Sequence, residues 1–284
     1  ARRWRGRQRR LPRPVLSVGN LTFGGTGKTP FVIWACRELA ARGKRPVVLS
    51  RGYRGGAGGN DEAKVIAAHL PDVPHLQNPD RHAAGTEALD RTDVFVLDDG
   101  FQHLPLHRDF DIVLVDCTDP FGGGWCPPAG RLREPLSALR RADLVVLTRA
   151  DQVDRASLGD TMRTVRAHAT APVATGAFPA ACDADLAGLD VCVACGIGNP
   201  RAFVQTVEGL GGRPARTRFF RDHHPFDAGD AASLAAEGLP VVVTEKDAVK
   251  LRPLWTFDAP LHVVTNRFEP LDGAPEIAAL LDRL

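Results

Sequence analysis

Short apolar runs, separated by polar, glycine-rich or helix-patterned stretches, recur along the chain. Runs of Val, Ile and Leu predict strands at residues 14–19, 46–50, 93–97, 111–115 and 144–148. Apolar positions at helical spacing between them predict helices at about 30–42, 79–89 and 133–141. Continuous β-branched strands alternating with helices indicate an α/β fold, a mostly parallel sheet covered by helices on both faces. After residue 171 the pattern restarts, with a strand at 190–195, a Gly-Ile-Gly-Asn-Pro turn at 196–200, a helix at 200–210 and strands at 240–244 and 261–265. Two domains are expected, residues 1–174 and a smaller α/β domain at 175–284, with the crossing between 170 and 180. The length of 284 residues, against a typical domain of roughly 150, agrees.

Composition narrows the class. Hydrophobic residues are 44% and charged residues 25%, ordinary for a globular chain. No apolar run approaches the roughly 18 residues of a spanning helix. Net charge is +2, from 36 basic and 34 acidic residues, so a general nucleic-acid binder is not indicated. The distribution is less even: seven Arg lie in the first 13 positions, and no acidic residue precedes Glu38. This basic segment beside Trp4 is either a solvated tail or a contact with anionic membrane. Six scattered cysteines include one C-x-x-C pair, Cys192 and Cys195, inside an apolar strand. Without a second pair or a suitably spaced His, they read as buried small hydrophobes in a reducing, cytoplasmic compartment.

The sharpest chemical signal runs from Ser17 to Pro30. A strand enters, Gly24-Gly25-Thr26-Gly27-Lys28-Thr29 follows, and a helix leaves. Glycines let backbone N–H groups converge on phosphate oxygens at a helix N-terminus. Lys28 reaches terminal phosphates and the Thr29 hydroxyl ligates Mg²⁺. Thr22 stands where the strict motif has its first Gly, so this is a variant loop of a P-loop NTPase-type sheet. The strand at 94–97 ends in Asp98-Asp99, which puts carboxylates at a strand tip, where parallel sheets bind ligands and a metal-binding acid is needed. Either Asp serves equally from sequence. Gln102 and His103 follow and place polar groups beside that metal. These features indicate a Mg-nucleotide hydrolase or kinase and name no acceptor.

The ordered set of motifs resembles the tetraacyldisaccharide 4'-kinase family, the lipid A 4'-kinases of Gram-negative bacteria. The resemblance spans residues 17 to about 267. It rests on the loop above, Ser50-Arg51-Gly52-Tyr53, Asp98-Asp99-Gly100-Phe101-Gln102-His103, and Pro128-Ala129-Gly130-Arg131-Leu132-Arg133-Glu134-Pro135. Gly196-Ile197-Gly198-Asn199-Pro200, Asp222-His223-His224 and Thr244-Glu245-Lys246-Asp247-Ala248 complete it. The resemblance implies ATP- and Mg²⁺-dependent phosphorylation of the 4'-hydroxyl of a lipid A disaccharide 1-phosphate. It makes Asp61, in Gly59-Asn60-Asp61-Glu62, the catalytic base and His223 its partner, with His224 the competing choice. Asn60 replaces the family's Gly. Arg81, after Asp80, would neutralise phosphate charge. Arg133 and Glu134 are expected to open a helix, as a local ion pair or as neighbours of the active site. Lys246 stands between a ligand contact and a strand-end ion pair, and Thr148-Arg149-Ala150-Asp151 reads as a turn.

Family members usually begin with a hydrophobic N-terminal anchor. Residues 1–13 are instead Arg-rich, with little apolar area beyond Trp4 and Leu11, and the first residue is Ala. Either an upstream segment is missing or membrane contact is mainly electrostatic. The expectation is peripheral association with the cytoplasmic face of the inner membrane, with no nucleic-acid and no obligate protein partner. Three rivals share the phosphate loop: a regulatory ATPase or GTPase that switches a protein partner, a kinase for a soluble sugar or nucleoside, and a non-enzymatic binding module. The first leaves Asp61 and Asp222-His223 without a role. The second would not need detergent micelles, and the third would tolerate loss of Asp98.

Overall fold

The computed structural model describes residues 8–52 and 61–284. Arg2, Trp4, Tyr53, Gly59 and Asn60 lie outside the described residues. The chain forms β1 (Val15–Asn20), α1 (Lys28–Ala41), β2 (Pro46–Ser50), α2 (Asp61–His69), β3 (His75–Gln77), α3 (Arg81–Glu87), β4 (Val94–Asp98), β5 (Phe110–Asp116), β6 (Leu144–Thr148), α4 (Arg155–His168) and β7 (Val173–Ala177). It continues through β8 (Ala180–Cys182), β9 (Asp190–Cys195), α5 (Pro200–Gly209), β10 (Arg213–Phe219), α6 (Ala228–Ala235), β11 (Val241–Thr244), α7 (Glu245–Leu251), β12 (Leu261–Asn266), β13 (Glu269–Asp272) and α8 (Ala274–Leu281).

Two compact units result. The first holds the described residues up to 52, His69–Phe178 and Arg267–Leu284; the second holds 61–68 and Pro179–Asn266. The chain passes from the first unit to the second after Phe178. Two further exchanges were not read from sequence: residues 61–68 join the second unit, and the chain returns to the first at Arg267.

The first unit's sheet has the order β13-β7-β6-β5-β1-β4-β2-β3. Its pairs are parallel except β13 with β7. β1, β2 and β4 are buried along their whole length, which explains their unbroken apolar sequences. Helices cover both faces, the expected α/β class. α1 buries Phe31, Val32, Ile33, Ala35, Cys36 and Leu39. Phe268, on the returning segment, meets Phe31 and Trp34 edge-on at 4.7 and 5.0 Å. The second unit's sheet is β10-β9-β11-β12-β8, parallel except β8 with β12. Cys192 and Cys195 are buried in β9, and burial pushes their thiols up to about 11 and about 12. They pack as small hydrophobes, as their strand context implied.

The helix expected at 133–141 is corrected. Arg133 and Glu134 form a bend, Pro135 is extended, and a short 3-10 helix follows at Leu136–Arg141. Pro135 disfavours helical backbone at Glu134, and the Arg133 N–H donates to Leu21 O at 2.6 Å.

The end of β1 is held close to the turn after β4. A Cβ on Gly19 would lie 2.7 Å from Phe101 N, and one on Gly100 would lie 2.8 Å from Leu97 Cβ. By contrast, a Cβ on Gly159 within α4 meets only the Arg163 side chain at 3.6 Å. Gly19→Ala is therefore expected to destabilise the protein by about 1–3 kcal/mol. Gly159→Ala should stabilise it by about 0.5–1 kcal/mol through helix propensity. Chemical denaturation of both variants checks the opposite signs.

Candidate active site

Each unit gathers its own cluster of the residues singled out above. In the first unit, β1 leads into the glycine loop and α1 leaves it. Gly24 and Gly27 adopt φ of 122° and 83°, backbone that other residues rarely take. The Gly27 position is also filled from outside, since a Cβ there would strike the Phe178 ring. A Cβ on Gly25 would meet nothing within 4 Å. A strap from the Pro-Ala-Gly-Arg segment ties the loop down: Thr22 bridges Leu132, and Phe23 N–H donates to Arg131 O at 2.8 Å. Thr148 Oγ1 donates to Thr26 O at 3.3 Å from the end of β6. Arg149 Nη1 donates to Gly25 O at 3.2 Å, so that expected turn also supports the loop.

Parallel pairing sets Val18 opposite Asp98, so the acidic tip of β4 comes level with the root of the loop. Asp98 is 6% exposed. Asp99 has φ 54° and accepts two hydrogen bonds from Arg133 Nη1, both at 2.8 Å. Lys28 Nζ is 3.5 Å from Asp99 Oδ1 and donates to Asn20 Oδ1 at 3.3 Å. Burial pulls the Asp99 carboxyl up, but Lys28 and Arg133 outweigh it and hold it below the usual range. Gln102 Nε2 donates to Asn20 O at 3.0 Å, tethering the turn to β1. Glu134 is an ion-pair partner of Arg141 at 2.8 Å.

Arg81 opens α3 behind the N-cap of Asp80, which accepts from His82 and Ala83 N–H. Its guanidinium is buried and donates to His103 Nδ1 at 2.9 Å. Burial, then the charges of Arg81 and Arg108, push the His103 pKa down to about 4. The ring is neutral at pH 7 and, with Nδ1 accepting, carries its proton on Nε2.

These residues fit a polyphosphate with a divalent cation. Lys28, Arg81 and Arg133 oppose the two carboxylates Asp98 and Asp99 and leave an excess of positive charge. Thr26 Oγ1, Arg81 Nε and Arg133 Nε are buried with no hydrogen-bond partner among the described residues. No group of three or more His, Cys, Asp or Glu suited to a metal occurs among the described residues. A Mg²⁺ site of Thr29, one strand-tip Asp and phosphate oxygens needs no such cluster.

In the second unit, α2 begins at Asp61. His223 Nδ1 lies 3.1 Å from Asp61 Oδ2, with His223 at φ 58° in the turn after β10. His224 is engaged elsewhere: its Nε2 is 2.7 Å from Asp230 Oδ2, and its ring stacks on Phe220 at 4.8 Å. The histidine in contact with Asp61 is therefore His223. Lys246 Nζ pairs with Glu62 Oε1 at 3.5 Å, the ion-pair alternative. Lys250, not singled out from sequence, sits 3.3 Å from Asp61 Oδ2. Its only sequence signal is a position one helical turn beyond Lys246 on α7. Burial raises the Asp61 pKa, but the His223 hydrogen bond and the Lys250 charge leave it below its ordinary value.

Comparison with known proteins decides what these clusters belong to. A family model described as tetraacyldisaccharide-1-P 4'-kinase matches residues 1–284. The chain belongs to the tetraacyldisaccharide-1-P 4'-kinase family. Among family members named tetraacyldisaccharide 4'-kinase, the Geobacter sulfurreducens protein is 40% identical, over 96% of this chain and 84% of its own. The Geobacter metallireducens protein is 42% identical, over 95% and 88%. A crystal structure of the "apo" form of LpxK from Aquifex aeolicus in complex with ATP is similar with a TM-score of 0.76 and 28% identity, covering 97% of this chain and 90% of that one.

The two loop glycines separate folding from binding in this family member. Gly27→Ala is expected to lower the melting temperature and abolish ATP binding, because it forces both backbone and Phe178 to move. Gly25→Ala should stay within about 0.5 kcal/mol of wild-type stability and weaken ATP alone, by crowding the backbone's approach to phosphate. Differential scanning fluorimetry with and without ATP reads both.

Proposed function

We propose that the protein transfers the γ-phosphate of ATP to the 4'-hydroxyl of a lipid A disaccharide 1-phosphate. The observation that carries this is the family match over the whole chain, joined to a phosphate loop beside an acidic strand tip and to the Asp61–His223 pair. A switch ATPase gives the Asp61–His223 pair no work, and the named relatives do not favour it.

The first unit serves the donor. Backbone N–H groups of residues 24–29 and Lys28 hold the β- and γ-phosphates, and Arg133 and Arg81 add neutralising charge. Thr29 and Asp98 would hold Mg²⁺, since Asp98 ends β4 level with the root of the loop. Mg²⁺, when bound, neutralises charge on the β- and γ-phosphate oxygens. Neutral His103 presents its Nε2–H as a further donor. The second unit serves the acceptor. Asp61 takes the proton of the 4'-hydroxyl as its oxygen attacks phosphorus, and the bond to ADP breaks with its electron pair leaving on ADP. His223 orients the Asp61 carboxylate.

The lipid acceptor supports peripheral association with the cytoplasmic face of the inner membrane, and the basic N-terminal segment offers charge for anionic headgroups. No helix among the described residues is long and apolar enough to cross a membrane. Binding to vesicles rich in anionic lipid should be measurable by sedimentation at low salt and fall as salt rises. No binding at low salt would contradict this.

The reaction is tested by following labelled γ-phosphate from ATP into the disaccharide 1-phosphate in mixed micelles. Wild type is expected to label the lipid. Asp61→Ala should lose on the order of 10²-fold or more in rate at unchanged ATP affinity. ATP hydrolysis without labelled lipid would contradict the kinase reading.

A further inference from the structure

Lys250 lies in the last turn of α7 with its side chain 10% exposed. Its ammonium donates to His224 O at 3.0 Å and lies 3.4 Å from Asp247 Oδ1 and 3.3 Å from Asp61 Oδ2. The Phe226 ring centroid is 5.3 Å away. Asp247 is fully buried, and its Oδ2 accepts the Gly196 N–H at 3.0 Å and the Thr244 hydroxyl at 2.7 Å. Asp247 and the His224 carbonyl thus anchor the ammonium inside the second unit. The remaining carboxylate, Asp61, stands at the first residue of α2, a long way off in sequence.

We propose that Lys250 is a positioning residue for the base: together with His223 it holds Asp61 by Oδ2 as an ionised carboxylate, and it leaves Oδ1 to receive the acceptor hydroxyl's proton. This deepens the assignment of Asp61 as base and rests on it. Both contacts fall on the same oxygen, and neither His223 nor Lys250 holds Oδ1. Two oxygen-bound donors fix the carboxylate plane where one would leave it free to swing. The charge also matters. The groups facing Asp61 are His223 from the turn after β10, Lys250 from α7 with Asp247 behind it, and Glu62 beside it on α2, paired with Lys246. Asp222 lies 3.9 Å from His223 Nε2. Burial opposes ionisation of Asp61, and the His223 hydrogen bond and the ammonium of Lys250 counter it at close range.

The sign of the effect is fixed. Removing the ammonium raises the Asp61 pKa, so a larger share is protonated, and inactive as base, in acid. The rate then recovers as pH rises. A purely structural lysine would lower the rate by the same factor at every pH.

The experiment compares the pH dependence of lipid labelling for wild type, Lys250→Met, Lys250→Arg and Asp61→Asn, with ATP affinity measured for each. Lys250→Met should move the acid limb of kcat/KM up by about one pH unit. That is about a tenfold loss below the limb, beyond any loss on the plateau, with ATP affinity unchanged. Lys250→Arg should keep the limb at the wild-type position. If Lys250→Met does not fold, Lys250→Gln repeats the test. A limb that stays at the wild-type position in the neutral variant, whatever the plateau rate, overturns the role of Lys250 while Asp61→Asn remains inactive. Wild-type rates in Asp61→Asn would instead overturn the base assignment, and Lys250 with it.

Discussion

β1 ends against the turn that follows β4 with no room for a methyl group between them. That close approach, at Gly19 and Gly100, is the constraint on which the nucleotide site depends. It sets the backbone of the glycine loop level with Asp98, and parallel pairing of Val18 with Asp98 fixes the register. A slip of one residue would turn every side chain of β1 to the opposite face of the sheet. Gln102 and the strap at 131–133 then hold the loop from two further sides.

Charge is arranged on that frame in the same economical way. Asp99 pairs with both Lys28 and Arg133, one carboxylate against two cations, so positive charge is left over for phosphate. A polyphosphate presents more negative charge than one carboxylate. In the second unit the logic is inverted: a carboxylate, Asp61, is held ready by a cation and a histidine. On the proposed assignment the donor needs charge neutralised and the acceptor needs a proton removed, and each cluster has the sign that task requires.

What sequence revealed follows from the range of the interactions. The phosphate loop and Asp98-Asp99 were legible because each is a contiguous strand-to-loop pattern whose chemistry is local. Asp61 and His223 were named only through family resemblance, since 162 positions separate them. The choice between His223 and His224 stayed open in sequence; in the structure His223 meets Asp61, while Asp230 and Phe220 engage His224. Lys250 was missed because its pairing with Asp61 spans 189 positions. The helix expected at 133–141 failed at its start, where Pro135 and the hydrogen bond from Arg133 to Leu21 keep the backbone out of the helix. The return of the chain at Arg267 was equally hidden: it depends on β13 pairing with β7 and on Phe268 filling the aromatic cluster over α1.

The most direct measurement of the shared nucleotide site is equilibrium binding of ATP, with and without Mg²⁺, to wild type, Lys28→Met and Asp98→Ala. Lys28→Met should weaken ATP under both conditions. Asp98→Ala should bind metal-free ATP as wild type does but lose the added affinity that Mg²⁺ brings. An Asp98→Ala protein that keeps the full Mg²⁺ effect would contradict a single site built from the β1 loop and the β4 tip.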